Sequence, residues 1–138
     1  MNTKQSLTME FKLVDQHDDI IIAEFPNQLK LDLDTAINIV SHRISFTNNK
    51  KHYIVADVSN IISMTTDAKR YLQKPEFGLK NIMGAALIAS NPLAALIANI
   101  FIKTRCDFES RFFSKKDDAI NWILNQKESN LKLIQEVK

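Results

Sequence analysis

The side chains able to do chemistry in this chain are few, and their spacing argues for structure more than for catalysis. The histidines are His17, His42 and His52. A metal site or a base relay needs such groups gathered at ligand spacing, whereas these fall on different elements. Cys106 is the single cysteine, and no histidine lies near it in sequence to make it a nucleophile. Asp15, Asp18 and Asp19 share the polar stretch Asp15-Gln16-His17-Asp18-Asp19. They lack the full calcium-loop pattern and read as a solvated turn. Trp122 falls on a helix, where core packing is the ordinary role. Arg111 pairs with Asp57 or Glu109 as a structural ion pair, or else touches a ligand. No base–nucleophile pair is readable, so the chain is expected not to be an enzyme, to need no cofactor and to hold no metal.

The totals agree with a binding or structural role. At 138 residues, 45% hydrophobic and 25% charged, the chain is one ordinary globular domain with a sizeable core. A net charge of +2, with the charges scattered, leaves no basic footprint for nucleic acid. One cysteine cannot form an internal disulfide. The polar start, Met1 to Thr8, has no apolar signal core. The expected location is cytoplasmic, with residues 1–8 flexible, a single domain over 9–126, and 127–138 as a helix extension or tail.

The elements that must position these residues follow from periodicity. Residues 9–14 alternate, and Ile20 to Phe25 forms a second strand, giving an antiparallel hairpin. Asp32 caps a helix with an apolar stripe at Leu33, Ala36, Ile37, Val40 and Ile44, closed by the polar run Thr47 to Lys51. His52 to Val58 is almost continuously apolar, the mark of a strand buried on both faces and usually parallel. Ser59 to Thr65 is a loop, and a helix runs from Thr66 to Lys74 before Pro75. Thr65 or Thr66 suits its N-cap, with Asp67 as a first-turn acid favoured by the dipole. Ile82 to Ala89 is another buried strand. Glu109 to Phe113 is a short edge strand, and Ser114 with Asp117 forms a capping box for the last helix.

The most apolar stretch, residues 82–103, is long enough to span a membrane. Ser90-Asn91-Pro92 interrupts it, with Asn91 as N-cap and Pro92 at the first helical position, so a strand followed by a helix over 92–104 is the better reading. That helix is apolar on more than one side. Leu93, Leu96, Ile97 and Ile100 form core, a dimer interface, or the wall of an apolar pocket, and the residues alone leave the three open. Asn99 and Lys103 share one face, where they hold a ligand headgroup or only water. The N-terminus of this helix suits an anion, but without a glycine-rich cradle a nucleotide site is not expected. The resulting order, β-β-α-β-α-β-α-β-α, is an α/β fold: a mixed sheet with an opening hairpin and helices packed on it.

Several strings carry a family likeness: Ala56-Asp57-Val58-Ser59-Asn60-Ile61, Asp67-Ala68-Lys69-Arg70-Tyr71, Ser90-Asn91-Pro92 through Lys103, and Arg111-Phe112-Phe113-Ser114 leading to Ala119-Ile120-Asn121-Trp122-Ile123. Over roughly residues 10–125 the chain resembles the small SpoIIAA-like proteins, whose domain is a STAS-type fold related to CRAL-TRIO lipid-transfer domains. Sporulation-type STAS regulators have a strand ending in Asp, a short loop, then a helix opening Asp-Ser-Ser-Gly whose second serine takes a phosphate. By that resemblance Thr66 falls on the first serine, Asp67 on the acceptor and Ala68 on the glycine. The fixed charge of Asp67 either mimics the phosphorylated state or is a plain helix-start acid. Ser63, Thr65 and Thr66 remain hydroxyls open to modification.

The resemblance implies a non-enzymatic STAS-like regulatory or protein-interaction module. Its partner, a protein or a second copy, would meet Asp57, Ser59, Ser63, Thr65, Thr66, Asp67 and Arg70. The alternative is a binder of a small apolar or lipid-like ligand in a cavity under helix 92–104. Leu93, Leu96, Ile97, Asn99, Ile100 and Lys103 would then form the ligand or dimer face.

Overall fold

A computed structural model describes residues 10–13 and 19–137. The expected flexible segment 1–8 lies outside the described residues, as do Asp15, His17 and Asp18. In chain order the elements are β1 (Glu10–Leu13), β2 (Ile20–Glu24), β3 (Leu29–Leu31), α1 (Leu33–Phe46), β4 (His52–Asp57), β5 (Ile61–Met64), α2 (Thr66–Leu72), β6 (Ile82–Ile88), α3 (Pro92–Ile102), β7 (Glu109–Phe113) and α4 (Lys116–Val137).

The continuous apolar run of β4 has its explanation in the sheet. The strand order is β1-β2-β4-β6-β7, so β4 is central. It pairs in parallel with β2 on one side and β6 on the other. β7 extends the parallel run beyond β6, and β1 pairs antiparallel with β2. Alternate residues of β4 point to opposite faces, and both faces are covered. Ile54 and Ala56 join Ile21, Ala23, Ala85 and Leu87 beneath α1, α2 and α3, which contribute Ala36, Ala68, Ala94, Ile97 and Ala98. Tyr53 and Val55 join Ile20, Ile22, Ala86 and Ile88 beneath α4, through Ala119 and Ile123. Ile20, Ile21, Val55 and Ile123 are fully buried, and each contributes about 1.5–3 kcal/mol of transfer free energy.

The helix starts follow from capping chemistry. Asp32 Oδ1 accepts from the Thr35 N–H at 2.9 Å, which also holds its carboxyl below the usual range. Asn91 Oδ1 accepts from the Ala94 N–H at 2.8 Å, with Pro92 opening α3. After α1 the chain reverses through Asn48 and Asn49, both at positive φ, a conformation that asparagine tolerates.

Two expectations need correction. The stretch Ser59 to Thr65 is not simply a loop: Ile61–Met64 is β5, which pairs in parallel with β3 in a small second sheet. Each of these strands is too short to show a period, but together they bury Leu31 and Ile61. The last helix begins at Lys116, and the Lys115 carbonyl accepts its first N–H, from Ala119; Ser114 is therefore one residue too early to be its cap. Of the two alternatives for the end of the chain, a helix extension or a tail, α4 runs unbroken through residues 127–137. Lys127 Nζ meets Asp19 Oδ1 at 2.8 Å and Asn130 Nδ2 donates to the Tyr53 hydroxyl at 2.8 Å.

The two glycines mark close approaches. A Cβ on Gly84 would stand 2.9 Å from the Tyr53 ring, whereas one on Gly78 would stand 2.0 Å from the Leu72 carbonyl oxygen. Gly84→Ala is therefore expected to cost about 1–3 kcal/mol, because a ring can shift. Gly78→Ala is expected to cost more, because backbone must move. Urea unfolding of both variants checks the order.

Candidate functional site

In open α/β sheets the loops after the carboxyl ends of the parallel strands are the usual place for binding. Here β4 ends at Asp57 and β6 at Ile88, and Ser59 ties their loops together. Its Oγ accepts from the Ser90 N–H (3.0 Å) and from the Ser90 hydroxyl (2.9 Å). Its carbonyl accepts from Asn91 Nδ2 at 2.9 Å. Asp57 Oδ1 accepts from the Ser59 N–H at 3.0 Å, and Asn60 Nδ2 reaches back to the Phe25 carbonyl at 2.9 Å. The structure thus joins Asp57 and Ser59 to Ser90 and Asn91, which the sequence marked only as a helix start.

The candidates on β5 and α2 divide into two groups. Thr65 is the N-cap: its Oγ1 accepts from the Ala68 N–H at 3.3 Å and donates to Asp67 Oδ1 at 2.5 Å. Asp67 Oδ1 also accepts from the Ala68 N–H at 2.9 Å. Both side chains are occupied in starting α2. Ser63, Thr66 and Arg70 are exposed, and their side chains make no hydrogen bond or ion pair among the described residues. Neither imidazole among the described residues serves these hydroxyls: His42 Nδ1 is bonded to the Asn38 carbonyl, and His52 to Arg43 and Lys50. Arg111 pairs with neither Asp57 nor Glu109; its guanidinium lies 5.7 Å from the Phe113 ring centroid, and Phe113 in turn packs on Trp122.

α3 resolves by residue size. Ala94, Ile97 and Ala98 face inward, while Leu93 is 42% exposed and Leu96 is 65% exposed. Asn99 and Lys103 are exposed and Ile100 is half-buried. An apolar cavity of ≈ 140 Å³ lies on the same side of the sheet, among Phe25, Ile39, Ile54, Leu72, Leu87 and Phe101. The expectation of a cavity walled by α3 is corrected here. Leu93, Leu96, Ile97, Asn99, Ile100 and Lys103 do not line it, and α3 contributes Phe101 alone. The short inward side chains Ala94 and Ala98 seat the helix close to the sheet and leave no space beneath them.

A buried cation at the cavity's margin is absent from the sequence expectations. Arg43 is 3% exposed and His52 is 1% exposed. Arg43 Nη1 donates to His52 Nε2 at 3.0 Å and to the Lys80 carbonyl at 2.7 Å. Its Nη2 donates to the carbonyls of Phe77 (3.3 Å) and Gly78 (3.0 Å). A guanidinium only donates, so Nε2 is the acceptor and the ring proton sits on Nδ1, which donates to the Lys50 carbonyl at 2.9 Å. Burial lowers Arg43 to about 10, still charged at neutral pH. Burial first, and the charge of Arg43 after it, lower His52 from 6.5 to about 4 against the opposing pull of the Lys50 carbonyl. The signal was present in the spacing, because Ala36, Val40 and Arg43 share one helix face and all are buried.

The sequence matches the family described as Domain of unknown function (DUF7793) over residues 14–127. No curated protein matches it. Among solved structures it is similar to the crystal structure of an uncharacterized protein of the DUF3478 family, with a SpoIIAA-like fold, from Shewanella loihica PV-4. That likeness covers 89% of this chain and 99% of the other, with a TM-score of 0.59 and 17% identity. At such identity it establishes the fold, which is SpoIIAA-like as the sequence strings implied. No helix among the described residues is long and apolar enough to cross a membrane.

His52 makes stability depend on pH. Its pKa falls from 6.5 in the unfolded chain to about 4 in the folded one, so the unfolded state binds the extra proton between those values. Stability is full above pH 6.5 and is lost as pH falls toward 4, by about 3 kcal/mol in all. His52→Gln keeps an acceptor for Arg43 and is expected to flatten that window. Urea midpoints measured from pH 7 to 4 check it, and an equal slope in the variant would refute the assignment.

Proposed function

The chain belongs to the family described as Domain of unknown function (DUF7793), and from that premise we propose that it is a non-enzymatic regulatory module that works by binding protein. The observation that carries this reading is the outer face of α3. Leu93 and Leu96 are 42% and 65% exposed, just beyond the polar rim of Ser59, Ser90 and Asn91. Exposed leucines beside a polar margin match the anatomy of an interface, with an apolar centre and a hydrogen-bonding rim. The rim is cross-tied by Ser59, so it meets a partner with little ordering cost. Ser63, Thr66 and Arg70 extend the polar margin along β5 and α2. Asp67 is a fixed negative charge bound to the start of α2, and this supports a module without a phosphate switch at that position. A cytoplasmic setting fits the reading.

Two adjacent positions test it. Leu96 is exposed and Ile97 is 4% exposed. Leu96→Asp is expected to leave the melting temperature nearly unchanged, since surface changes stay within about 0.5 kcal/mol, yet to lose the bound protein in affinity capture compared side by side with wild type. Ile97→Asp is expected to unfold the domain. A Leu96→Asp protein that captures the same partners at the same yield would sink the proposal.

A second reading rests on the cavity of ≈ 140 Å³. An engineered apolar cavity of about 150 Å³ in another protein stays dry and binds benzene, so this one suits a ring-sized apolar molecule. Benzene is expected to raise the melting temperature of wild type and not that of Ala85→Val, which fills space at the wall. Equal responses would end this reading.

A further inference from the structure

We propose that a second copy of this chain adds to the free edge of β7, with β7 pairing antiparallel to its own counterpart about Ser110. The inference rests on the reading of the protein as an interaction module, and it names a partner at a surface separate from the outer face of α3.

β7 ends the five-stranded sheet, and β6 is its sole neighbour there among the described residues. The Phe113 carbonyl accepts from the Ala89 N–H. Backbone groups alternate sides along a parallel strand, so Glu109, Arg111 and Phe113 turn theirs toward β6, while Ser110 and Phe112 turn theirs outward. Such an edge is a template for another strand unless lysine, proline or a bulge blunts it. The strand reads Glu-Ser-Arg-Phe-Phe and runs against β6 without a register shift, so it carries no lysine, proline or bulge, and its two charges, Glu109 and Arg111, are of opposite sign.

Charge selects the register. A two-fold axis at Arg111 would set two arginines opposite each other, and one at Glu109 would set two glutamates opposite each other. An axis at Phe112 would push Ser110 past the end of the strand, against Ser114. An axis at Ser110 lets its outward N–H and carbonyl exchange bonds with their counterparts. Glu109 then faces Arg111 of the second copy, twice by symmetry, at the close non-hydrogen-bonded positions. Glu109 and Arg111 are both exposed, and neither is in an ion pair among the described residues. On the opposite face Phe112, 37% exposed, comes against half-buried Phe108 of the second copy. The contact is isologous and closes as a dimer, joining the two sheets into one.

The test is charge reversal, read by sedimentation or native mass spectrometry with reductant present so that Cys106 does not cross-link copies. Wild type is expected to dimerise at about 100 µM or below. Glu109→Arg and Arg111→Glu are each expected to weaken the dimer on the order of tenfold or more, because each converts two attractions into two repulsions. The double variant E109R/R111E is expected to restore wild-type affinity. Melting temperature controls for folding, since both side chains are exposed. A monomeric wild type, a dimer indifferent to either reversal, or a double variant that stays weak overturns the proposal. Leu96→Asp separates the two surfaces. If it keeps both the dimer and the captured partners, the α3 reading fails and the β7 dimer stands; if it alone abolishes the dimer, self-association belongs to α3 and the β7 proposal is overturned.

Discussion

Burial of β4 on both faces governs the rest of the structure. A strand so placed needs parallel neighbours on each side and a helix layer above and below, because neither face can be left to water. The chain meets this with α1, α2 and α3 on one face and α4 on the other. Space between the layers is set by small residues. Ala56, Ala85 and Ala86 on the strands meet Ala36, Ala68, Ala94, Ala98 and Ala119 on the helices, and such pairs bring backbones close. Where larger side chains leave a gap on the α1 side, the apolar cavity remains.

The same constraint places polar groups only at the strand ends, and the two ends are closed differently. At the amino ends Arg43 gathers His52 and the carbonyls of the segment 77–80. That segment has no ladder of its own, so the guanidinium supplies the donors its carbonyls would otherwise lack. The arrangement depends on a neutral His52, since an imidazolium would turn an N–H against Arg43. At the carboxyl ends Ser59 holds the loops after β4 and β6 by hydrogen bonds that carry no net charge. The first end is closed around a buried cation, whereas the second is a polar surface facing solvent, fixed by the Ser59 hydrogen bonds.

The parts legible in the sequence were those with a period or a cap. The apolar run of β4, the Asp32 and Asn91 caps and the Ser90-Asn91-Pro92 break each state a local rule that the fold obeys. β3 and β5 were illegible because three or four residues show no period, and their pairing is a tertiary event between Leu29–Leu31 and Ile61–Met64. At the site, the roles that the structure shows for the strand-end Asp57 and the hydroxyl of Thr65 are local: one holds a turn, the other caps a helix. The joining of Ser59 to Ser90 links the loops after two neighbouring strands that are far apart in sequence, and it leaves no mark in either segment. Arg43 was passed over because a charged residue inside an apolar stripe is usually a boundary of that stripe. Here it belongs to the buried face.

α3 shows how composition misleads where size does not. Counted by hydropathy it is apolar all round, which leaves core, interface and pocket equally open. Counted by burial it is two-sided: Ala94, Ile97 and Ala98 point at the sheet, and Leu93 and Leu96 away from it. Alanine inside brings the helix down onto the strands and removes the pocket that larger residues would have propped open. On the outside, Leu93 and Leu96 keep 42% and 65% of their surface exposed. The helix thus buries Ala94, Ile97 and Ala98 while it carries Leu93 and Leu96 toward solvent, an apolar surface of the kind that the proposed interaction role would use. β7 likewise ends the sheet with the backbone groups of Ser110 and Phe112 turned away from β6.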